Sequence, residues 1–210
     1  VLRVDFIAYD TWRDRPVARG VTWRQKLYPD LFGYFQTVNM LVVDPADPDV
    51  SFLPVDGNGC ETTASMGDRV GAVAAINAGF FDGSCNPVGL LKIDGQLVAT
   101  NSQYRVAFGV DDAGGPLIDH VSAGVDWPAA HQAIGGLVRL VAGGTVDLTW
   151  EEEGASSSFT FSRHPRTAAC IDASSQVQLV TFDGRTAAGG GVALDDLATW
   201  FTWTGCAEAM

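Results

Sequence analysis

The chain has 210 residues, 47% of them apolar and 18% charged, which is enough for a packed core in a single domain spanning 1–210 and argues against a disordered chain. Its net charge of −12 repels polyanions, so general nucleic-acid binding is not expected. No apolar run approaches the ~20 residues of a membrane span, and the sequence starts at Val1 without a basic-then-apolar leader, as a mature or trimmed chain would.

In chain order, VLRVDFIAYD (1–10) alternates as a strand does, and residues 10–30, basic and broken by Pro16 and Gly20, read as loop. Residues 1–36 are therefore expected to form an irregular N-terminal segment. FQTVNMLVVD follows as a strand ending at Asp44, then a DPADPDV turn, then a strand in VSFLPV. Asp44, Asp47 and Asp49 lack the spacing and glycine of a calcium loop and read as turn residues. Thr62 or Thr63 caps a helix reaching about Gly71. GAVAAINAGFF reads as a buried strand. VGLLKIDGQLVA is a hairpin turning at Asp94-Gly95, and FGVDDAGGPLID is a second strand–turn–strand unit. IGGLVRLVAGGTVDL reads as glycine-punctuated strand, EEEGASSS as a polar loop, and TAACIDASSQVQLVTFDGR as a third hairpin. AAGGG reads as flexible. In ALDDLATWFTWTG, apolar residues at 194, 197, 200 and 201 have helical spacing, with Gly205 as the stop. CAEAM begins a last strand.

Strands joined as hairpins dominate, so the expected class is α+β: a largely antiparallel or mixed sheet with two or three packed helices. No internal repeat of 20–50 residues is visible. Cys60, Cys85, Cys170 and Cys206 are widely spaced without a CxxC, which disfavours zinc and suits an oxidising, secreted or extracytoplasmic setting. Four cysteines allow three pairings. Cys60–Cys85 with Cys170–Cys206 is favoured because each pair brackets one compact stretch, and four buried free thiols are the alternative.

Nucleotide, P-loop, GxSxG and HExxH signatures are absent from the sequence. What remains is polar chemistry set against the grain of strands. Asn77 stands in an apolar run, and a buried amide without partners costs about 1–3 kcal/mol. It either brackets a neighbouring loop or meets a ligand. Gly79 permits a close approach, Phe80 and Phe81 would face opposite sides, and Asp82 ends the strand. Six of the thirteen basic residues fall in the first 26 positions, so each later arginine is a scarce cation. Arg163, His164 and Arg166 cluster in SRHPRTAACID, where a forked guanidinium suits phosphate or carboxylate; pairing with a nearby Asp is the plainer reading. Thr167 faces away from Arg166 by strand alternation. Asp183 and Arg185 ride an Asp-Gly turn.

Taken together, AINAGFFD, IGGLVRLVAGG, HPRTAACID, VTFDGR and GVALDDLATWFTWTGCAEAM resemble, in order over residues 37–210, the phosphodiester glycosidase domain family. Ala78 stands where the family has glycine. The resemblance implies a hydrolase cleaving the glycosidic bond of sugar-1-phosphodiesters. A sugar-phosphate or glycan is then the substrate. Asn77, Asp82, His164, Arg166 and Asp183 are the implied catalytic set, and Gly79, Phe81, Gly136, Thr167 and Glu208 the implied substrate contacts. In this scheme Arg166 grips phosphate, His164 assists, and Asn77 bonds a sugar hydroxyl or phosphate oxygen, the two converging on one hollow. No cofactor is implied, and a divalent cation is left open. In the family the last strand runs into an Asn-Leu-Asp-Gly-Gly-Gly-Ser stretch. The sequence ends at Met210 before any such stretch, so the expected alternatives are a chain cut there, a stretch never included, or a second polypeptide piece supplying it; a non-catalytic extracellular glycan-binding module is the alternative function.

Overall fold

The computed structural model describes residues 11–57, 59–187 and 189–210; the strand expected in 1–10 lies outside them. The largest element is an eight-stranded sheet in the order β1 (Arg13–Ala18), β2 (Val21–Leu31), β3 (Tyr34–Val43), β14 (Val177–Phe182), β13 (Arg166–Asp172), β15 (Cys206–Ala209), β11 (Val141–Ala142), β12 (Thr145–Val146). A second sheet runs β7 (Gln96–Ala99), β6 (Leu91–Ile93), β10 (Gln132–Gly135), β8 (Arg105–Val110), β9 (Pro116–Val121), and β4 (Phe80–Phe81) pairs only with β5 (Pro87–Val88). Every strand pairing among the described residues is antiparallel. Three short helices are described: α1 (Thr63–Val70), α2 (Ser157–Phe161) and α3 (Leu194–Trp203). The class is α+β in the broad sense, with little helix.

Alternation along the central strands builds two cores. Val38, Met40, Ala168, Cys170, Val180 and Phe182 face one side, where Leu197, Trp200 and Phe201 of α3 cover them. Val43, Ala169, Ile171 and Val177 face the other, against Val106, Phe108 and Val110 of β8 and Ile118 of β9. Each fully buried Val, Leu, Ile, Met or Phe among them contributes ~1.5–3 kcal/mol. Disulfides join Cys170 to Cys206, across β13 and β15, and Cys60 to Cys85.

Helix α1 starts where expected, with the Thr62 hydroxyl accepting from the Ser65 amide, and stops at Gly71 in the left-handed region. The Asp94-Gly95 turn has φ values of 48° and 72°, the geometry that lets a two-residue hairpin match strand twist.

Several expectations fail for physical reasons. Residues 13–31 are a hairpin rather than irregular: Gly20 turns at φ 70°, and Pro16 sits on the sheet's edge strand, where a missing N–H costs no ladder bond. VSFLPV forms no strand; it is anchored by the Phe52 ring against Phe108, centroids 5.8 Å apart. GAVAAINAGFF is neither buried nor a strand, except at Phe80–Phe81. Its alanines carry little apolar area, Val73 is 64% exposed, and Gly79 breaks the extended path at φ 66°. IGGLVRLVAGGTVDL divides into β10, β11 and β12, with Gly143 and Gly144 turning at positive φ. EEEGASSS contains the wholly buried Glu153 and starts α2. Of AAGGG, the glycines 189–191 are packed rather than loose: a β-carbon on Gly189 or Gly190 would lie within 3 Å of Asp183 or Tyr34.

Candidate functional site

The residues of interest gather at one end of the eight-stranded sheet, where β13 begins and β14 finishes. Arg166 lies opposite Phe182, and Thr167 opposite Thr181. The ladder continues to Asn39 on β3 and Gln25 on β2. Directly opposed residues share a face, so Gln25, Asn39, Thr181 and Thr167 form one polar row across four strands. The sheet-to-sheet core is apolar two and four residues further along, at Ala169 and Ile171. The row therefore sits just beyond the edge of that core, where amides and hydroxyls need not be sealed.

The segment 73–79 crosses this face. There Thr167 Oγ1 donates to Asn77 Oδ1 at 2.8 Å, a bond between residues 90 apart in sequence. Gln25 Nε2 donates to Asn39 Oδ1 at 3.0 Å. Both asparagines accept through oxygen, so each keeps an NH₂ for another partner. Asn77 is exposed. Gly79 brings the segment close: a β-carbon there would stand 3.3 Å from Ile134 Cδ1.

Arg166 points the other way. The sequence reading expected its guanidinium and the Asn77 amide in one hollow, but strand alternation puts them on opposite faces, with Thr167 as the link. Arg166 is buried, and Nε donates to the Val192 carbonyl at 3.2 Å while Nη2 donates to Phe159 and Ser162 carbonyls. Its guanidinium carbon lies 4.6 Å from the Phe159 ring centroid. Phe159 in turn meets Phe80, centroids 6.3 Å apart. Burial, and then the charge of Arg185, lower the Arg166 pKa to about 10, so it stays cationic at neutral pH.

Arg185 is the exposed cation at this end. It donates through Nη2 to His164 Nδ1. Burial, Arg166 and Arg185, in that order, lower the His164 pKa and favour the neutral ring. Accepting at Nδ1 leaves the ring proton on Nε2. Arg185 itself has φ 59°, a conformation that costs a non-glycine residue about 1–2 kcal/mol. No carboxylate among the described residues forms a salt bridge with Arg166 or Arg185, although Asp and Glu outnumber Lys and Arg 25 to 13 in the whole chain. Arg166 spends its donors on carbonyls, so Arg185, exposed beside the neutral histidine and without a described acid partner, is the candidate contact for an external anion at this end.

Gly191 holds this corner in register. It lies at φ 80°, and an added β-carbon would stand 2.9 Å from three His164 backbone atoms. We expect Gly191→Ala to cost ~2–3 kcal/mol, read as a thermal midpoint lower by roughly 5–10 °C. An unchanged midpoint would show that the corner relaxes freely.

The other expected residues divide. Asp183 is half-buried at the end of β14, and its carboxylate bonds no described residue; its main chain donates to Thr37 and accepts from Gly191. Asp82 is exposed and accepts from the Ser84 and Asn86 amides, and these bonds, chiefly with Asn86, lower its pKa. It shapes the turn that carries Cys85. Phe81 is 71% exposed, opposite Pro87. Gly136 makes room for Met210, whose Cε would lie 2.1 Å from an added β-carbon. Glu208 opposes Ile171, four residues and about 13 Å along β13 from Thr167. It pairs with Arg139 and accepts from the Gly143 amide at 3.0 Å, so the fold does not bring it to the site. Gln25, Asn39 and Thr181 were not singled out from sequence. The β-alternation of FQTVNMLVVD was the available signal for Asn39, and the scarcity of late arginines was the signal for Arg185. No group of three or more His, Cys, Asp or Glu able to hold a metal occurs among the described residues.

A family model described as phosphodiester glycosidase matches residues 70–210. A search of curated proteins found no match. Among solved structures, a hypothetical protein from Synechocystis is similar at TM-score 0.81 and 16% identity, over 95% of this chain and 57% of that one. The zebrafish N-acetylglucosamine-1-phosphodiester alpha-N-acetylglucosaminidase catalytic domain, auto-inhibited by its pro-peptide, is similar at TM-score 0.72 and 21% identity, over 95% and 74%. A putative exported protein from Burkholderia pseudomallei is similar at TM-score 0.59 and 15% identity, over 84% and 67%. At these identities the likeness is one of fold, and the chain spans little more than half of the Synechocystis protein.

Proposed function

We propose a hydrolase reading for this chain, which belongs to the phosphodiester glycosidase family: it cleaves the glycosidic bond of a sugar-1-phosphodiester. One observation carries the reading. The Thr167–Asn77 bond delivers an amide with free N–H donors to the same sheet end as Arg185, an exposed cation without a described carboxylate partner. Phosphate recognition needs such donors and charges.

In this scheme the bond between the anomeric carbon and the phosphate oxygen breaks. The bonding electrons leave with the phosphomonoester, and water adds to the oxocarbenium-like carbon. Arg185 and the Asn77 amide stabilise the charge that grows on the leaving phosphate, and His164 fixes the Arg185 guanidinium. A phosphate leaves readily, so a strong protein acid is not required. Asp82 is held below the usual carboxylate range and suits no acid role. Asp183, whose carboxylate bonds no described residue, is the group we assign to take the proton from the attacking water.

The two disulfides and the likeness to an exported protein support an extracytoplasmic setting. No helix of the described residues is long and apolar enough to cross a membrane.

The test is release of reducing sugar from methyl diesters of several hexose-1-phosphates, with Asp183→Asn as the inactive control. Turnover that Asp183→Asn removes supports the reading. A complete lack of turnover across the panel ends it, and saccharide binding without turnover would favour a glycan-binding module.

A further inference from the structure

A groove of ≈ 510 Å³ opens beside Asn77, between β1–β2 and the 73–76 segment. Its floor is two adjacent ladder rows on one face. One row is polar, Asn39 and Thr181 within the Gln25–Thr167 line already described. The other is Trp23, Leu41 and Leu179, opposed in the order β2–β3–β14. The rows lie two residues, about 7 Å, apart along the strands, and neighbouring strands about 4.8 Å apart. A floor half aromatic-aliphatic and half amide-hydroxyl matches a pyranose, which has an apolar C–H face and a rim of hydroxyls. Asn39 Nδ2 and Thr181 Oγ1 form no hydrogen bond with a described residue.

Both rows end in arginine. On the edge strand Arg13 opposes Gln25 and Arg15 opposes Trp23, so both start out on the groove face. Arg15 lines the groove, both are exposed, and neither has a salt bridge among the described residues. Asp14 between them pairs with Arg24 at 2.8 Å instead. In a protein of net charge −12 this is a local positive edge.

We infer that this groove receives the aglycone of the substrate and that the aglycone is an acidic saccharide, its ring over Trp23 and its negative group at Arg13 and Arg15. The inference rests on the hydrolase reading for the term aglycone, while the groove's affinity for an acidic sugar stands apart from it.

The experiment compares three diesters of one hexose-1-phosphate: with methanol, with the 6-hydroxyl of a neutral hexose, and with a hydroxyl of a hexuronate. Turnover is followed by sugar release and binding by ligand-observed NMR, in wild type, Trp23→Ala, Trp23→Phe and Arg13→Ala/Arg15→Ala. Wild type should show a KM or Kd about 5–10-fold lower for the uronate diester than for the neutral one. Trp23→Ala should raise both saccharide values about 10-fold and leave the methyl diester unchanged, and Trp23→Phe should restore most of the loss. The double arginine variant, at exposed positions, should erase the uronate preference, as should added salt. If the methyl diester is cleaved but the variants change all three diesters alike or none, the groove assignment falls and the hydrolase reading stands. If nothing is cleaved, yet the uronate diester binds and the variants weaken it selectively, the groove assignment stands and the hydrolase reading falls. Failure of both saccharide diesters to bind overturns the inference.

Discussion

Glu153→Ala should lower the stability of this protein by about 3–5 kcal/mol, the largest loss expected from any single substitution outside its cores. The carboxylate is wholly buried. Oε2 accepts from the Val106 and Val138 amides, both at 2.9 Å, and Oε1 from the Arg139 amide at 2.7 Å and the Thr149 hydroxyl at 2.6 Å. His120 Nε2 lies 3.1 Å from Oε1. Val106 belongs to β8 of the smaller sheet, while Val138 and Arg139 lead into β11 of the larger, so one side chain ties the two sheets together. Alanine leaves three main-chain donors without acceptors, each a loss of ~1–3 kcal/mol before water compensates. Against a typical total of ~5–15 kcal/mol, that brings the fold near its threshold. Glu153→Gln keeps the shape and one acceptor oxygen, so it should fall between wild type and alanine. Urea unfolding gives the order, and a loss under ~1 kcal/mol for alanine would show that the bracket is not holding the sheets. Burial alone would raise the Glu153 pKa, but the bonds from Thr149, Val106, Arg139 and Val138 outweigh it and lower it. A carboxylate depressed on folding stabilises fully above its unfolded pKa, and that stability is lost as pH falls through the folded value. The acid limb of the stability curve should therefore be shallower in Glu153→Gln.

Glu153 also shows where sequence reading stops. In EEEG its neighbours Glu151 and Glu152 are exposed, and nothing local distinguishes the third carboxylate. Its role is set by amides 14 to 47 residues away. Locally encoded features were legible: the Asp94-Gly95 hairpin, the Thr62 cap, the periodicity of α3 and the bracketing that favoured the two disulfides. The stretch around Asn77 misled because a small apolar run reads as buried strand, whereas alanines offer too little area to hold a place in a sheet. The polar row was half legible. Thr167 could be assigned a face opposite Arg166 from alternation alone, but Asn39 and Gln25 join its row only through the long-range register of β14 against β3, which brings two separate hairpins together. Arg166 drew attention as a scarce cation in a suggestive motif. Burial among backbone carbonyls gives it a supporting place under Phe159, and the exposed charge falls instead to Arg185, whose Asp-Gly setting looked like an ordinary turn.

That exchange of roles yields the second large effect. Arg185→Ala and Asn77→Ala should each reduce kcat for a hexose-1-phosphate methyl diester about 10²–10³-fold, the usual consequence of removing one donor from a developing anion. Thermal midpoints should stay close to wild type because both side chains are exposed. Arg185→Lys keeps a charge but not the fork that can serve His164 and an anion together, so a recovery of no more than about tenfold is expected. Arg166→Ala should behave differently. Three carbonyls lose their donor and Phe159 loses the cation above it, so stability should fall by ~2–4 kcal/mol along with activity. Thr167→Val supplies the cross-check. It removes the 2.8 Å bond to Asn77 while preserving shape and strand preference, which frees the amide to rotate. If Asn77 works where Thr167 holds it, Thr167→Val should lose about tenfold in kcat, and Asn77→Ala added to it should lose less than the product of the two single effects. Independent multiplication of the two losses would mean that the amide and the hydroxyl act at separate places. Full activity in Arg185→Ala would remove the phosphate from this end of the sheet altogether.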